Sequence, residues 1–132
     1  LKPANVLLDE DDSWRIADFG LARRADELSG VTASGAILGT FAYMAPEQAR
    51  GQTLDHRADL FSLGSVLYTM ASGRPPFRAS NTIAVLKRVC EDTPRPISEV
   101  IPGSPKWLDE IIAKLHAKEP ADRFQSAKEV SD

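Results

Sequence analysis

Cysteine is nearly absent from this chain of 132 residues, which carries only Cys90. A single cysteine cannot form a disulfide within the chain, so a fold held together by internal disulfides is excluded. This composition is typical of a reducing compartment, and we expect a cytoplasmic protein. Cys90 itself is expected to be a small, partly buried apolar side chain.

Long apolar runs and an excess of positive charge are also missing. No stretch approaches the roughly 20 apolar residues of a membrane-spanning helix, and no signal peptide is visible. The net charge is −3 and the pI is about 5.4, so we expect neither nucleic acid nor an anionic membrane as partner. His56 and His116 are far apart and have no further ligands at metal-binding spacing, so neither is expected to bind a metal.

What the chain does have is enough apolar residues, 42%, for the core of one domain or of one lobe of a larger domain. Residues 6–8 and 14–17 are predicted to form two short strands around a polar turn. This hairpin would bring Asn5 and Asp18 side by side. An amide oxygen and a carboxylate are suitable ligands for a Mg²⁺ ion that bridges phosphate oxygens. The acidic residues 9–12 lack the glycine and closing glutamate of a calcium loop, and we interpret them as a solvated turn.

Three short motifs follow one another along the chain. They are Lys2-Pro3-x-Asn5, Asp18-Phe19-Gly20 and Ala45-Pro46-Glu47. In this order and spacing they resemble the end of the catalytic loop, the magnesium motif and the end of the activation segment of the protein kinase family. Asp-Phe-Gly alone would be a weak signal, whereas the ordered set is specific. Lysine followed by proline is similar to serine/threonine kinases, and the chain is most similar to their bacterial eukaryotic-like group.

The resemblance covers residues 1–132 and implies a partial protein kinase domain. It would be the mainly α-helical carboxy-terminal lobe, built on a buried central helix, with a small β-hairpin near the amino terminus. The amino-terminal lobe, and the aspartate that accepts the proton of the substrate hydroxyl, would lie before Leu1. We therefore expect the chain to be inactive alone. The protein substrate, the oligomeric state and any membrane tether of the parent stay open.

The resemblance also implies the site residues. Asn5 and Asp18 would hold Mg²⁺ and, together with Lys2, bind ATP. Lys2 would neutralise charge on the transferring phosphoryl group. Thr40 would hydrogen-bond Lys2 and the aspartate expected before Leu1. The parent would then transfer the γ-phosphoryl group of ATP to Ser or Thr of a protein substrate. Two alternatives remain: a pseudokinase that acts as a binding scaffold, and a lobe that serves as a partner-binding domain.

Residues 21–45 show no sustained period and are rich in small residues, which predicts a long functional loop. In kinases the activation segment lies here. Thr32 and Ser34 resemble its autophosphorylated pair, with Arg23 and Arg24 as candidate partners of the phosphate.

The resemblance pairs Glu47 with Arg123 near the end of the chain. A carboxylate and a guanidinium can join through two parallel hydrogen bonds. If this pair is buried, it would anchor the activation segment to the last helices, because breaking a buried pair is far more costly than breaking an exposed one.

Helices are predicted for most of the remaining chain. Residues 55–71 are apolar nearly all round, including Met70, which predicts a buried central helix. By resemblance, Asp59 near its start would hold the catalytic-loop backbone, although a carboxylate there would also stabilise the helix dipole. Residues 81–90 predict an amphipathic helix with Ile83, Leu86 and Cys90 on one face.

Two more helices are predicted towards the carboxy terminus. Ser104 is expected to cap a helix whose first residue is Pro105. Its buried stripe would contain Leu108, Ile111, Ile112 and Leu115. A last helix is predicted to begin at Ser126.

Overall fold

The chain was analysed as a computed structural model, which describes residues 1–17 and 39–132. Most of the described residues are helical, and one small antiparallel hairpin lies near the amino terminus. The strands are β1 (Val6–Leu8) and β2 (Trp14–Ile16). The helices are α1 (Pro46–Ala49), α2 (Arg57–Ser72), α3 (Thr82–Glu91), α4 (Ile97–Val100), α5 (Lys106–Leu115) and α6 (Ala127–Ser131). The predicted fold class is confirmed.

The hairpin turn is organised by the carboxylate of Asp9. Its Oδ1 accepts hydrogen bonds from the backbone N–H groups of Asp11 and Ser13, and its Oδ2 pairs with Arg15 Nε at 2.7 Å. Asp12 takes the left-handed conformation, φ 58°, that closes the turn. The acidic run is therefore a solvated turn, as predicted from the sequence.

Helix α2 is the centre of the fold. Asp55 Oδ1 accepts from the N–H of Arg57 at the start of the helix, and Gly73, with φ 74°, ends it. Helix α5 packs against α2, and the short helix α1 packs against α3. The predicted buried central helix is confirmed, but Met70 is 60% exposed and does not belong to its buried surface. The buried residues of α2 are Ala58, Leu60, Phe61, Ser62, Gly64, Ser65, Val66 and Tyr68.

Two groups of buried apolar side chains surround α2. One joins the segment before α1 to α2 and α3 and contains Phe41, Ala42, Ala45, Ala58, Phe61, Phe77, Val85 and Val89. The other joins α2 to α4 and α5 and contains Tyr68, Ile97 and Ile112. The end of the predicted activation segment is therefore part of the core of the lobe.

Helix α3 differs from the prediction in the face that it buries. Asn81 caps it by accepting from the N–H of Ala84 at 2.9 Å. Val85 is 2% exposed, whereas Ile83 is 81% exposed. These two residues lie about 200° apart around the helix axis, so they cannot share a face. The predicted stripe is wrong for Ile83, while Cys90 is half-buried, as expected.

The beginning of α5 also differs from the prediction. Pro105 has an extended backbone, ψ 138°, and is the residue that precedes the helix rather than its first residue. Its carbonyl accepts from the N–H of Leu108, while the Ser104 hydroxyl is buried and has no hydrogen bond within the described residues. The predicted Ser104 cap is therefore wrong. Ile112 and Leu115 are buried as predicted, and Leu108 and Ile111 are half-buried.

The last helix, α6, follows Ser126, whose hydroxyl oxygen accepts from the N–H of Glu129. In the described ranges, no helix combines the length and the apolar character needed to cross a bilayer.

Candidate active site

The first motif forms a compact turn that is tied to the end of the hairpin. Residues Pro3–Asn5 form one 3₁₀ turn, in which Asn5 N donates to Lys2 O at 3.0 Å. The carbonyl of Asn5 accepts from the N–H of Ala17 at 2.8 Å. Ala17 therefore lies directly beside Asn5. Asp18 itself lies outside the described residues, so its pairing with Asn5 stays a prediction.

The same turn approaches the start of α2. The backbone nitrogen of Leu1 lies 3.5 Å from Asp59 Oδ1. Asp59 is in the first turn of α2, where a carboxylate also stabilises the helix dipole. The expected role of Asp59, holding the catalytic-loop backbone by hydrogen bonds, stays a prediction.

Thr40 lies on a second segment that is fixed to α2. Its carbonyl accepts from the N–H of Tyr43 at 3.3 Å. The Ser62 hydroxyl donates to Tyr43 O at 2.7 Å, and the Tyr43 hydroxyl lies 3.2 Å from Thr69 Oγ1. Thr40 itself is exposed. The segment that carries Thr40 and the turn that carries Lys2 and Asn5 thus both meet α2, while the proposed roles of all three residues stay predictions.

The predicted pair of Glu47 and Arg123 is present and buried. Arg123 NH1 donates to Glu47 Oε1 at 2.7 Å, and NH2 donates to Oε2 at 2.8 Å. The side chain of Arg123 is 0% exposed, and that of Glu47 is 5% exposed. A planar guanidinium matches a carboxylate in this geometry better than an ammonium could. The condition attached to the anchoring hypothesis, burial of both partners, is met.

Every N–H of the Arg123 guanidinium has an acceptor. Besides Glu47, Nε donates to Ala117 O, NH1 to Arg57 O and NH2 to Lys118 O, at 2.8–3.0 Å. A guanidinium has five N–H donors, so the buried charge is fully hydrogen-bonded. This removes the main cost of burying it.

The surroundings of Glu47 shift its titration. Burial raises the pKa of the Glu47 carboxyl, but hydrogen bonds from Arg123 and from the backbone, together with the charge of Arg123, outweigh burial. The pKa of Glu47 therefore lies below its usual value. The carboxylate remains ionised and paired at neutral pH.

His116 is a buried residue whose role the sequence did not reveal. Its Nε2 lies 2.9 Å from the Ser65 hydroxyl, and its ring packs against Phe61 and Phe77 with centroid distances of 4.9 and 5.3 Å. Burial, then the charges of Lys118 and Arg123, lower the pKa of His116 to about 3. The ring is a neutral core side chain. The only sequence signal was its position one residue beyond the buried stripe of α5.

Lys118 extends this cluster. Its Nζ donates to Val89 O at 2.8 Å and lies 4.6 Å from the centroid of the Phe77 ring. Burial lowers the pKa of Lys118 to about 8. His116 and Lys118 also line a cavity of about 470 Å³ between residues 93–97 and α5, which none of Lys2, Asn5 and Thr40 lines. This cavity is separate from the candidate active site.

Comparison with known proteins agrees with this arrangement. Residues 1–132 match the protein kinase domain family. The chain is 41% identical over 130 residues to a probable serine/threonine-protein kinase PknB of Bifidobacterium longum, covering 98% of this chain and 19% of that protein. It is 40% identical over 131 residues to serine/threonine-protein kinase PknB of Mycolicibacterium smegmatis, and 39% identical over 131 residues to that of Mycobacterium tuberculosis. Each of these two matches covers 98% of this chain and 21% of the relative.

Three features define the class of protein. They are the helical lobe built on the buried α2, the small hairpin, and the buried pair of Glu47 and Arg123. The chain belongs to the protein kinase family, in its bacterial eukaryotic-like serine/threonine group. It spans about a fifth of the length of the curated relatives that it matches.

Proposed function

We propose that residues 1–132 are the carboxy-terminal lobe of a serine/threonine kinase domain and that the complete protein phosphorylates Ser or Thr of a protein substrate. The observation that carries the proposal is the hydrogen bond from Ala17 N to Asn5 O, at 2.8 Å. It supports a convergence of the Asn5 amide and the Asp18 carboxylate. This pair of oxygen donors fits Mg²⁺, which would neutralise phosphate charge when bound.

The remaining residues position the reacting groups and neutralise the charge of the transferring phosphoryl group. The substrate hydroxyl oxygen forms the new bond to the γ-phosphorus, and the bond to the bridging oxygen of the leaving diphosphate breaks. The hydroxyl proton passes to an aspartate, which the family pattern places immediately before Leu1. Lys2 stabilises the charge of the transferring group, and Thr40 hydrogen-bonds Lys2 and that aspartate. Residues 1–132 alone are expected to be inactive, since they contain neither that aspartate nor the glycine-rich loop.

The test compares phosphoryl transfer from ATP and Mg²⁺ to a library of Ser and Thr peptides by variants of the complete protein. Asn5→Ala and Asp18→Ala are each expected to reduce transfer by about a hundredfold. Asp11→Asn, an exposed change in the hairpin turn, is the matched control and should retain activity. Full activity of the Asn5 variant would contradict the proposal. A folded wild type that transfers no phosphate yet binds a protein partner would favour the scaffold alternative.

Activation by phosphorylation at Thr32 or Ser34 is a further part of the proposal. Thr32, Ser34, Arg23 and Arg24 all lie outside the described residues, so this part rests on the resemblance alone. A phosphate there would add nearly two negative charges and could order the segment against arginine. Equal activity of the complete protein and its Thr32→Ala, Ser34→Ala double variant would dispose of this mechanism.

A further inference from the structure

The side chain of Gln125 joins the last segment of the chain to the start of α2. The two N–H groups of its Nε2 are shared among the carbonyls of Pro120, Ala121 and Arg123, and the shortest of these contacts is 2.7 Å to Arg123 O. Its Oε1 accepts from Arg57 NH1 at 2.9 Å. The amide therefore holds the backbone on both sides of residue 122 and connects it to another element.

Arg57 completes the connection from its own side. Its carbonyl accepts from Arg123 NH1 at 2.9 Å, while its side chain donates to Gln125 Oε1. Asp55 fixes the Arg57 guanidinium through Nε and NH2, at 3.1 and 2.6 Å. His56 Nε2 also lies 2.7 Å from Gln125 O. The backbone of Arg57 thus contacts Arg123, and its side chain contacts the residue that orients the backbone of Arg123.

We propose that Arg57 and Gln125 are positioning residues that present Arg123 to Glu47. They thereby couple the last helix to α1, the short helix at the end of the predicted activation segment. Arg123 can form two parallel bonds to Glu47 only if its Cα and the plane of its guanidinium are both fixed. Gln125 fixes the backbone of residues 120–123, and Arg57 O fixes NH1 of the guanidinium. Any effect on phosphoryl transfer rests on the proposed function, whereas the coupling to residues 46–52 does not.

The exposure of Gln125 distinguishes a positioning role of Arg57 and Gln125 from a general stabilising role. Gln125 is exposed, so loss of its hydrogen bonds should have little effect on the unfolding of the whole lobe. A small displacement of a group that positions an active segment, by contrast, can have a large effect on rate. We therefore expect local opening near Glu47 and a lower kcat, with little change in the unfolding midpoint.

The test uses Gln125→Leu and Arg57→Met, singly and together, in the complete protein. Hydrogen exchange of the backbone amides in residues 46–52, of which Pro46 has none, should become about tenfold faster in each single variant. The double variant should be no faster than the singles, because both remove the same link. Ser126→Ala is the matched control: it removes the cap of α6, one residue after Gln125, but none of the hydrogen bonds between Gln125 and Arg57. Residues 46–52 should exchange in this control as in the wild type.

Steady-state kinetics give the second readout. In an active protein, Gln125→Leu should lower kcat about tenfold and leave the KM for ATP unchanged. Gln125→Glu keeps the acceptor for Arg57 but loses the donors to the backbone carbonyls, so it should not restore the activity that Gln125→Leu loses. Unchanged exchange at residues 46–52 in Gln125→Leu would overturn the positioning role, as would equally fast exchange in Ser126→Ala. If the wild type transfers no phosphate, the proposed function fails, but the exchange experiment still decides the coupling.

Discussion

Arg123 donates two hydrogen bonds, of 2.7 and 2.8 Å, to the two carboxylate oxygens of Glu47, which lies 76 positions earlier in the chain. Glu47 belongs to the short helix that follows the predicted activation segment, and Arg123 follows the last 3₁₀ turn. The ion pair therefore joins two segments that are far apart in the sequence. Because both side chains are buried, each depends on the other for compensation of its charge.

Removing one partner of this pair should destabilise the protein strongly. Glu47→Gln or Arg123→Met leaves a buried charge or polar group without its partner, and we expect a loss of about 3–5 kcal/mol in the free energy of unfolding. Urea unfolding of the complete protein measures this loss. Arg95→Met is the matched control, since Arg95 pairs with Glu99 on the surface, and it should cost less than about 1 kcal/mol. Equal losses in the two cases would contradict the anchoring role.

The same pair predicts a loss of stability in acid. The pKa of Glu47 is lower in the folded protein than its ordinary value of 4.5, so the pair stabilises the fold fully above pH 4.5. This stabilisation is lost as the pH falls through the lowered pKa, because the carboxyl becomes protonated. In Glu47→Gln the free energy of unfolding should therefore depend less on pH below 4.5 than in the wild type.

His116 predicts a second loss, in a different pH window. Its pKa is about 3 in the folded protein, against 6.5 for an ordinary histidine, so the unfolded chain binds an additional proton between these values. Stability should fall as the pH decreases below 6.5, by up to about 1.4 kcal/mol per pH unit. His116→Gln should flatten the dependence between pH 6.5 and 4.5, where Glu47 makes little contribution.

An exposed side chain that does not titrate provides the control for that experiment. Gln52→Asn changes a surface side chain and should retain the pH dependence of the wild type. An unchanged slope in His116→Gln would show that His116 is protonated in the folded protein, contrary to its burial.

Local motifs and periodicity predicted much of the lobe. The hairpin and the buried α2 follow from turn residues and apolar content. The pairing of Glu47 with Arg123 could not follow from periodicity, because the two residues are far apart in sequence. It was predicted only through family resemblance. Asp18, the other half of the predicted metal site, lies outside the described residues.

The errors have physical reasons that local sequence does not contain. Ile83 and Val85 are both apolar, and only the packing of α3 against α1 decides which of them faces the core. Ser104 is a good capping residue by type, but the extended backbone of Pro105 moves the start of α5 to Lys106. The contacts of Gln125 were not predicted because its three carbonyl partners come together only after the turn at residues 120–122 has formed.

Gly64 should resist the substitution that normally strengthens a helix. Gly→Ala within an exposed helix usually stabilises it by about 1 kcal/mol. A Cβ on Gly64, however, would lie 2.9 Å from Leu115 Cβ and 3.0 Å from the His116 ring. We expect Gly64→Ala to cost about 1–3 kcal/mol in urea unfolding, because α5 must move away from α2. A stabilised variant would show that the two helices are not in such close contact.

Two apolar residues of α3, Val89 and Ile83, provide a direct test of which face is buried. Val89 is fully buried, and Val89→Ala should lower the free energy of unfolding by about 1.5–3 kcal/mol through lost apolar burial and a cavity. Ile83 is 81% exposed, so Ile83→Ala should change it by less than about 0.5 kcal/mol. Both variants keep a good helix former in the same helix, which makes each the control for the other. A larger loss in the Ile83 variant would mean that α3 is rotated and that the stripe predicted from the sequence was correct.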